Sequence, residues 1–241
     1  MTEKAVVLAA GRGTRLGPHT DACAKALVHV AGRPLIDYVL HSLVRAGVRE
    51  SVIVLGYRGE QLEAYLGTGE RFGLRLHYAW NRDYTTGNAR SLWHALHIVG
   101  GEPFLLVMSD HICSASLLRT FLACADGRSA LAVDRTEMDE RRTHEATKVA
   151  LADGLVVGIG KGLTHWDAVD TGVSHWSAGA FAALDGQPAQ GELAALMWRM
   201  TGAEGGLAGC DVSGHFWIDV DTEEERRLAE RLLQANAHLL D

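Results

Sequence analysis

Cysteine and proline are sparse in this sequence, four of each in 241 residues. Cys23, Cys113, Cys124 and Cys210 form no CxxC pair, which leaves no signature of a zinc ribbon or a dithiol redox centre. The N-terminus opens on charged residues and a strand-like apolar run instead of a signal region, so a reduced, cytoplasmic setting is expected. No apolar run approaches the ~20 residues of a membrane-spanning helix, so no membrane insertion is expected. Excess positive charge is also missing: 23 Lys and Arg against 30 Asp and Glu give a formal charge of -7. A general nucleic-acid binder needs a basic face and is therefore not expected; any polyanionic substrate must be held by a local cationic cluster or a metal. With no internal repeat, low-complexity tract or linker, residues 1–241 read as one domain, and 47% hydrophobic residues suffice for a full α/β core.

What stands out is KAVVLAAGRGTRLG, Lys4 to Gly17, where an apolar strand runs straight into a loop carrying Gly11, Gly13, Gly17, Arg12 and Arg15. Glycines let successive backbone N–H groups turn inward as an anion nest, and arginine adds a fork that grips phosphate through two hydrogen bonds. The spacing is neither GxGxxG nor GxxxxGK[ST], which argues against a dehydrogenase and a P-loop NTPase. Pro18 and the polar run behind it stand where either motif would begin its helix, so the loop is expected to continue over a ligand. A tight turn with two solvated arginines is the simpler alternative. Arg12, Arg15, Lys25, Lys148 and Lys161 are the candidate phosphate-holding cations.

Strand-like and helix-like segments then alternate. Strands are predicted at Lys4–Ala10, Ser51–Gly56, Leu74–Ala79 and Phe104–Ser109, and helices at Leu35–Ala46, Glu60–Leu66, Asn88–Ile98 and Ser116–Ala125. This is a parallel, doubly wound, Rossmann-like pattern, which places ligands at the carboxyl ends of strands. Asp153-Gly154 between Thr147–Ala152 and Leu155–Ile159 predicts a hairpin, so an antiparallel insert joins a mixed sheet. Val169–Trp176, two short helices, a last strand ending in FWIDVDT and a helix Glu223–Leu240 capped by Thr222 complete the chain. His94 and His97 share a helix face but have no carboxylate or cysteine beside them, so no zinc site is expected there.

Asp110 ends the run PFLLVMSD and Asp219 follows HFWI, so both carboxylates fall at strand ends. Above a phosphate nest they suit a magnesium ion that bridges a polyphosphate. Asp110 as the cap of the following helix, and Asp221 as the cap of the last one, are the structural alternatives.

The opening LAAGRGTRL followed by Lys25 in AKALVHVAGRPLIDY resembles the signature of sugar-phosphate nucleotidyltransferases, with Ala24 in place of that family's proline. GNARSLWHAL, VMSDHI, EATKVALADGLVVGIGKGLTHWDAVDTG and GHFWIDVDT extend the resemblance over nearly the whole chain, toward the inositol-1-phosphate cytidylyltransferases. The resemblance implies that Gly11, Gly13, Thr14, Arg15 and Lys25 hold the phosphates of CTP, with Leu8, Ala10 and Asp110 also at the nucleotide. It implies that Gly87, Asn88 and Ser91 line the base and ribose, that Asp110 and Asp219 bind Mg²⁺, and that Lys161 meets the acceptor phosphate. Asp170 in WDAVDTG is then expected at the acceptor's hydroxyls. Lys148 is read as a substrate contact or a solvated strand lysine. His111 would orient Asp110 or reach a phosphate, the first being preferred.

The implied activity joins CTP to a phosphorylated polyol, inositol 1-phosphate first, with Arg15, Lys25, Asp110 and Asp219 as the catalytic set. Phosphocholine, a phosphonate or a sugar 1-phosphate are alternative acceptors, and Trp80, Trp93, Trp166, Trp176, Trp198 and Trp217 could in principle cage a choline. A nucleotide-sensing regulatory protein is the alternative of another class. A homodimer is left open, as is a separate CDP-alcohol transferase downstream.

Overall fold

The computed structural model describes residues 4–136, 146–180, 191–203, 205–236 and 238–241. Strands β1 (Lys4–Ala9), β2 (His29–Val30), β3 (Arg33–Pro34), β4 (Glu50–Leu55), β5 (Arg75–Trp80), β6 (Phe104–Met108) and β7 (His111–Cys113) make up the first half. They alternate with helices α1 (Pro18–Ala22), α2 (Leu35–Arg45), α3 (Gly59–Leu66), α4 (Asn88–Val99) and α5 (Ala115–Ala125). The second half holds β8 (Ala130–Asp134), β9 (Lys148–Ala152), β10 (Leu155–Gly160), β11 (Ala168–Trp176), α6 (Leu193–Thr201), β12 (Ala208–Asp211), β13 (Trp217–Asp219) and α7 (Glu223–Ala235).

Nine strands form one mixed sheet in the order β5-β4-β1-β6-β11-β8-β12-β10-β9. β1 lies at the centre of its parallel half, between β4 and β6. Its run is apolar without alternation because both faces are covered. Ala5, Val7 and Ala9 join one core with α2, α3 and α5, whereas Val6 and Leu8 join another with α4 and α6. Helices on both faces follow directly from that period of two. β11 then enters antiparallel to β6, and it also pairs with β9. The last five strands of the order thereby close into a ring.

The hairpin forms at the expected place, with Leu155 opposite Ala152 and positive φ at both Asp153 (50°) and Gly154 (76°). Several sequence expectations are corrected. The polar run behind Gly17 does not stay a loop: Pro18 starts the five-residue α1, where its missing N–H costs nothing. β7, β8 and β12 were not anticipated. The strand ending in FWIDVDT leaves the main sheet and pairs with β7 in a two-stranded ribbon. The last helix ends at Ala235. Of the two short helices expected after Trp176, α6 is described, and residues 181–190 lie outside the described residues. Cys124 and Cys210, 86 apart in sequence, form a disulfide with Cα atoms 5.9 Å apart. A search for local cysteine spacing cannot see such a pair, and the bond counts against the fully reduced setting expected from sequence. Among the described residues no helix is long and apolar enough to cross a membrane.

Candidate active site

Parallel pairing of β1 with β6 sets Leu8 opposite Met108, and Ser109 N–H donates to the Leu8 carbonyl at 3.1 Å. Asp110 therefore emerges beside the start of the glycine-rich loop. The β13–β7 ribbon sets Asp219 opposite His111, and Val220 N–H donates to the Asp110 carbonyl at 3.0 Å. Three acidic positions, 110, 219 and 221, are thus drawn to one edge of the sheet.

The loop turns at Gly13, whose φ is 67°. Glycine is required here twice over, because a Cβ would also lie 2.6 Å from Lys25 Cδ. The Lys25 stem runs across that bare backbone. Its Nζ donates to Asp110 Oδ2 at 2.5 Å and to Asp221 Oδ1, while Arg15 donates to Asp221 Oδ2. Two carboxylates and two cations so form one chain, Asp110, Lys25, Asp221, Arg15. Burial alone would push the Lys25 ammonium toward neutrality, but Asp110 and Asp221 outweigh it and hold its pKa above the ordinary value. Burial likewise opposes ionisation of Asp110, and Lys25 and His111 overcome it, so that carboxyl stays below its usual range. Ala24, in the family's proline position, has φ -60° and ψ 141°, a conformation proline would also adopt, so the departure leaves the approach to Lys25 intact.

Asp221 is the site residue the sequence offered only as an alternative cap. Thr222 caps α7 as expected, in a capping box with Glu225. The signal was present: in an extended segment residues two apart share a face, so Asp219 and Asp221 of WIDVD point the same way.

His111 is held on several sides. Its Nδ1 donates to the Thr171 carbonyl at 2.8 Å, its ring stacks on Trp217 at 6.4 Å, and Trp217 Nε1–H donates to Asp134 Oδ2 at 2.8 Å. Burial would lower its pKa, but Asp110 and Asp219 raise it past that effect, favouring the imidazolium. The ring lies so close to Gly172 (φ 77°) that a Cβ there would meet Nδ1 at 2.3 Å. Gly172→Ala should therefore displace the imidazole and lower kcat/KM by roughly 10²-fold, with a modest change in melting temperature. Activity and thermal unfolding measured together check this; unchanged turnover would show the ring is not needed in place.

Asp170 Oδ1 accepts the Gly172 N–H at 2.8 Å, and burial pushes its carboxyl up to about 6. The folded state then holds this proton more tightly than the unfolded chain, whose carboxyl titrates near ~4, so stability should fall as pH rises between those values. Asp170→Asn should lack that component of the fall. Melting curves of both proteins at about pH 4.5 and about pH 7.5 test it; parallel shifts would contradict the assignment.

These groups border a cleft of about 430 Å³. Arg15, Asp110, His111, Lys161, Asp170, Asp219 and Asp221 give it a charged lining, and Leu106, Met108, Leu193 and Met197 an apolar one. Asn88 also borders it, with Oδ1 accepting the Leu193 N–H at 2.6 Å. Gly87 sits in a turn tied to Gly191 on both sides, by Ala89 N–H to the Gly191 carbonyl and Gly191 N–H to the Thr86 carbonyl. Gly11 and Thr14 are exposed on the loop. The structure does not bring every expected residue to the cleft. Ser91 is buried and accepts the Asn81 amide at 3.0 Å. Lys148 of β9 pairs with Gly160 of β10 and is not among the residues that line the cleft, although Thr147 and Lys161 are. Leu8 and Ala10 are buried, and their carbonyls already accept the Ser109 and Tyr57 N–H groups. Of the six tryptophans only Trp217 lines the cleft, so among the described residues the tryptophans form no cage there.

The donor set fits a hard divalent cation. Asp110 Oδ1 is buried without a hydrogen-bond partner, an oxygen that a cation would satisfy. Among the described residues no three of His, Cys, Asp and Glu enclose a metal by themselves, which suits an ion that takes several ligands from water and phosphate.

A glycine loop at the end of a central parallel strand, with cations gathered on it and carboxylates facing them, defines a phosphate-handling α/β protein. The chain belongs to the nucleotidyl transferase family, whose model matches residues 4–144. It is 34% identical over 234 residues to the bifunctional IPC transferase and DIPP synthase of Rubrobacter xylanophilus, covering 95% of this chain and 51% of that protein. The protein so named in Thermococcus kodakarensis is 35% identical over 239 residues, 98% of this chain and 51% of the relative. The chain thus spans about half the length of these relatives. The inositol-1-phosphate CTP transferase of T. maritima shares the fold, with a TM-score of 0.79, 23% identity and 97% of each chain covered. A UDP-glucose pyrophosphorylase complexed with UDP-glucose superposes with a TM-score of 0.83 at 18% identity, over 98% of this chain and 99% of the other.

Proposed function

We propose that the chain is a cytidylyltransferase that joins CTP to inositol 1-phosphate, giving CDP-inositol and pyrophosphate with the help of Mg²⁺. The observation that carries this reading is the Asp110, Lys25, Asp221, Arg15 chain at the mouth of the glycine loop. The names of the IPC transferase relatives favour the acceptor, and Asp170 and Lys161 offer a carboxylate for hydroxyls and an ammonium for phosphate across one cleft.

A phosphate monoester has a second pKa near ~6 and reaches the site largely as a dianion, so no general base is needed. One of its oxygens forms a bond to the α-phosphorus of CTP while the bond from that phosphorus to the bridging oxygen of pyrophosphate breaks. Lys161 would reduce repulsion between the two anions by holding the acceptor phosphate. Arg15 and Lys25 would leave Asp221 for the phosphates and steady the departing pyrophosphate. Asp110 and Asp219 would hold a magnesium ion, which would supply positive charge against the negative charge developing on the phosphates. His111, fixed on Thr171, keeps positive charge beside Asp110 and Asp219 and so orients that pair.

Pyrophosphate release across CTP, UTP, dTTP, ATP and GTP, each with inositol 1-phosphate, phosphocholine, glucose 1-phosphate and 2-aminoethylphosphonate, tests the specificity. Turnover with CTP and inositol 1-phosphate alone is the expected result. CTP with another acceptor would move the specificity and keep the mechanism.

A further inference from the structure

The opposite flank of the glycine loop carries rings and guanidinium groups that the chemistry above does not use. β4 ends at Leu55, and Gly56 lets the chain pass so close to β1 that a Cβ would lie 2.5 Å from the Ala10 carbonyl oxygen. The next N–H, that of Tyr57, donates to that carbonyl at 2.9 Å. Tyr57 is thereby fixed at the mouth of β1, next to Gly11. Its half-buried ring has Arg12 Cζ 5.3 Å and Arg58 Cζ 5.4 Å from its centre, and Tyr84 meets it edge-on at 6.1 Å. Arg58 Nε–H also donates to the Tyr57 hydroxyl at 3.1 Å. Tyr84 begins the turn Tyr84–Thr86 that leads into Gly87 and Asn88. One ring therefore joins the two segments between which a nucleoside would lie.

We propose that Tyr57 is a nucleotide-binding residue whose ring stacks on the pyrimidine base, Arg12 leaving that ring for the phosphates as the base arrives. The proposal rests on the CTP reading above. Base stacking on an aromatic face needs little preparation here, because the backbone bond to Ala10 and the edge-on contact with Tyr84 already fix the ring. Two guanidinium groups share that ring, and the carboxylate partner of Arg12 is Asp21, at 3.4 Å and largely exposed. Such a weak exposed pair yields readily to a polyphosphate. Stacking accepts any base, so Tyr57 supplies affinity and leaves base choice to other groups.

The test uses the full chain with Mg²⁺: steady-state KM for CTP and for inositol 1-phosphate, and calorimetric binding of CTP without acceptor, in Tyr57→Phe, Tyr57→Leu and Tyr57→Ala. Loss of the ring should raise both the CTP KM and Kd by roughly 10-fold or more, and weaken UTP binding by a similar factor, while the acceptor KM moves less than about 2-fold. Tyr57→Phe should bind CTP like the parent. Tyr57→Leu keeps an apolar body in place and guards against a simple failure to fold. Unchanged CTP binding in the Leu and Ala variants overturns the proposal alone, as does a Phe variant as weak as Ala, which would place the effect in the hydroxyl's hold on Arg58. A parent protein that binds no nucleotide overturns both this proposal and the CTP reading.

Discussion

Lys25→Met should abolish measurable transfer, lowering kcat/KM by at least ~10³-fold, and should also destabilise the protein. Both effects have one cause. Lys25 is buried, 7% exposed, and its ammonium is the shared partner of Asp110 and Asp221. Methionine preserves the stem that crosses Gly13 and removes only the charge. Asp110 would then be left with His111 at 3.7 Å and Asp221 with Arg15, and removing the partner the two share in a poorly hydrated site costs roughly 3–5 kcal/mol. A divalent cation binding those carboxylates should restore part of the stability and none of the transfer. Thermal unfolding with and without Mg²⁺, beside a pyrophosphate assay, separates the two. Lys25→Arg is not expected to rescue, because the planar guanidinium does not fit where the stem is pressed against the Gly13 backbone.

Asp110→Asn should keep the fold and lose the chemistry. Asp221 still pairs with both Lys25 and Arg15, and the amide is nearly isosteric. What disappears is the charge on an oxygen pair of which one member, Oδ1, accepts no hydrogen bond and has only His111 near it, at 3.7 Å. Turnover should drop by at least ~10²-fold to 10³-fold, the cost of removing one preorganised electrostatic group. The Mg²⁺ concentration for half-maximal activity should rise as well. Kinetics across a Mg²⁺ titration check both; a normal Mg²⁺ dependence with low turnover would assign Asp110 to holding Lys25 alone.

The parallel half of the fold was legible because its strands are short apolar runs bounded by glycine and its helices are amphipathic. Asp153-Gly154 announced the hairpin for a local reason, the positive φ at both positions. The strands that escaped, β7, β8 and β12, are short, and β12 (AGCD) carries almost no strand signal of its own. The position of β12 is set by pairing with β8 and β10. At the site, the glycine loop with Arg15 was readable because it follows a strand, and Asp110 because it ends one, whereas the role of Lys25 came through the resemblance to a family signature. Asp221 was not readable, since a carboxylate just before a helix offers itself as a second cap, and its pairing with Lys25 and Arg15 joins residues 196 and 206 positions apart. Tyr57 escaped because its importance lies in what touches it, Arg12 and Tyr84, 45 and 27 positions away.

Phosphorus-31 NMR of the protein with CTP, inositol 1-phosphate and Mg²⁺ tests the central claim most directly. Direct attack on the α-phosphorus requires pyrophosphate and a two-phosphorus diester to grow in equal amounts as the monoester signal declines. Release of CMP and pyrophosphate with the monoester untouched, or no change with any phosphorylated alcohol, would contradict it.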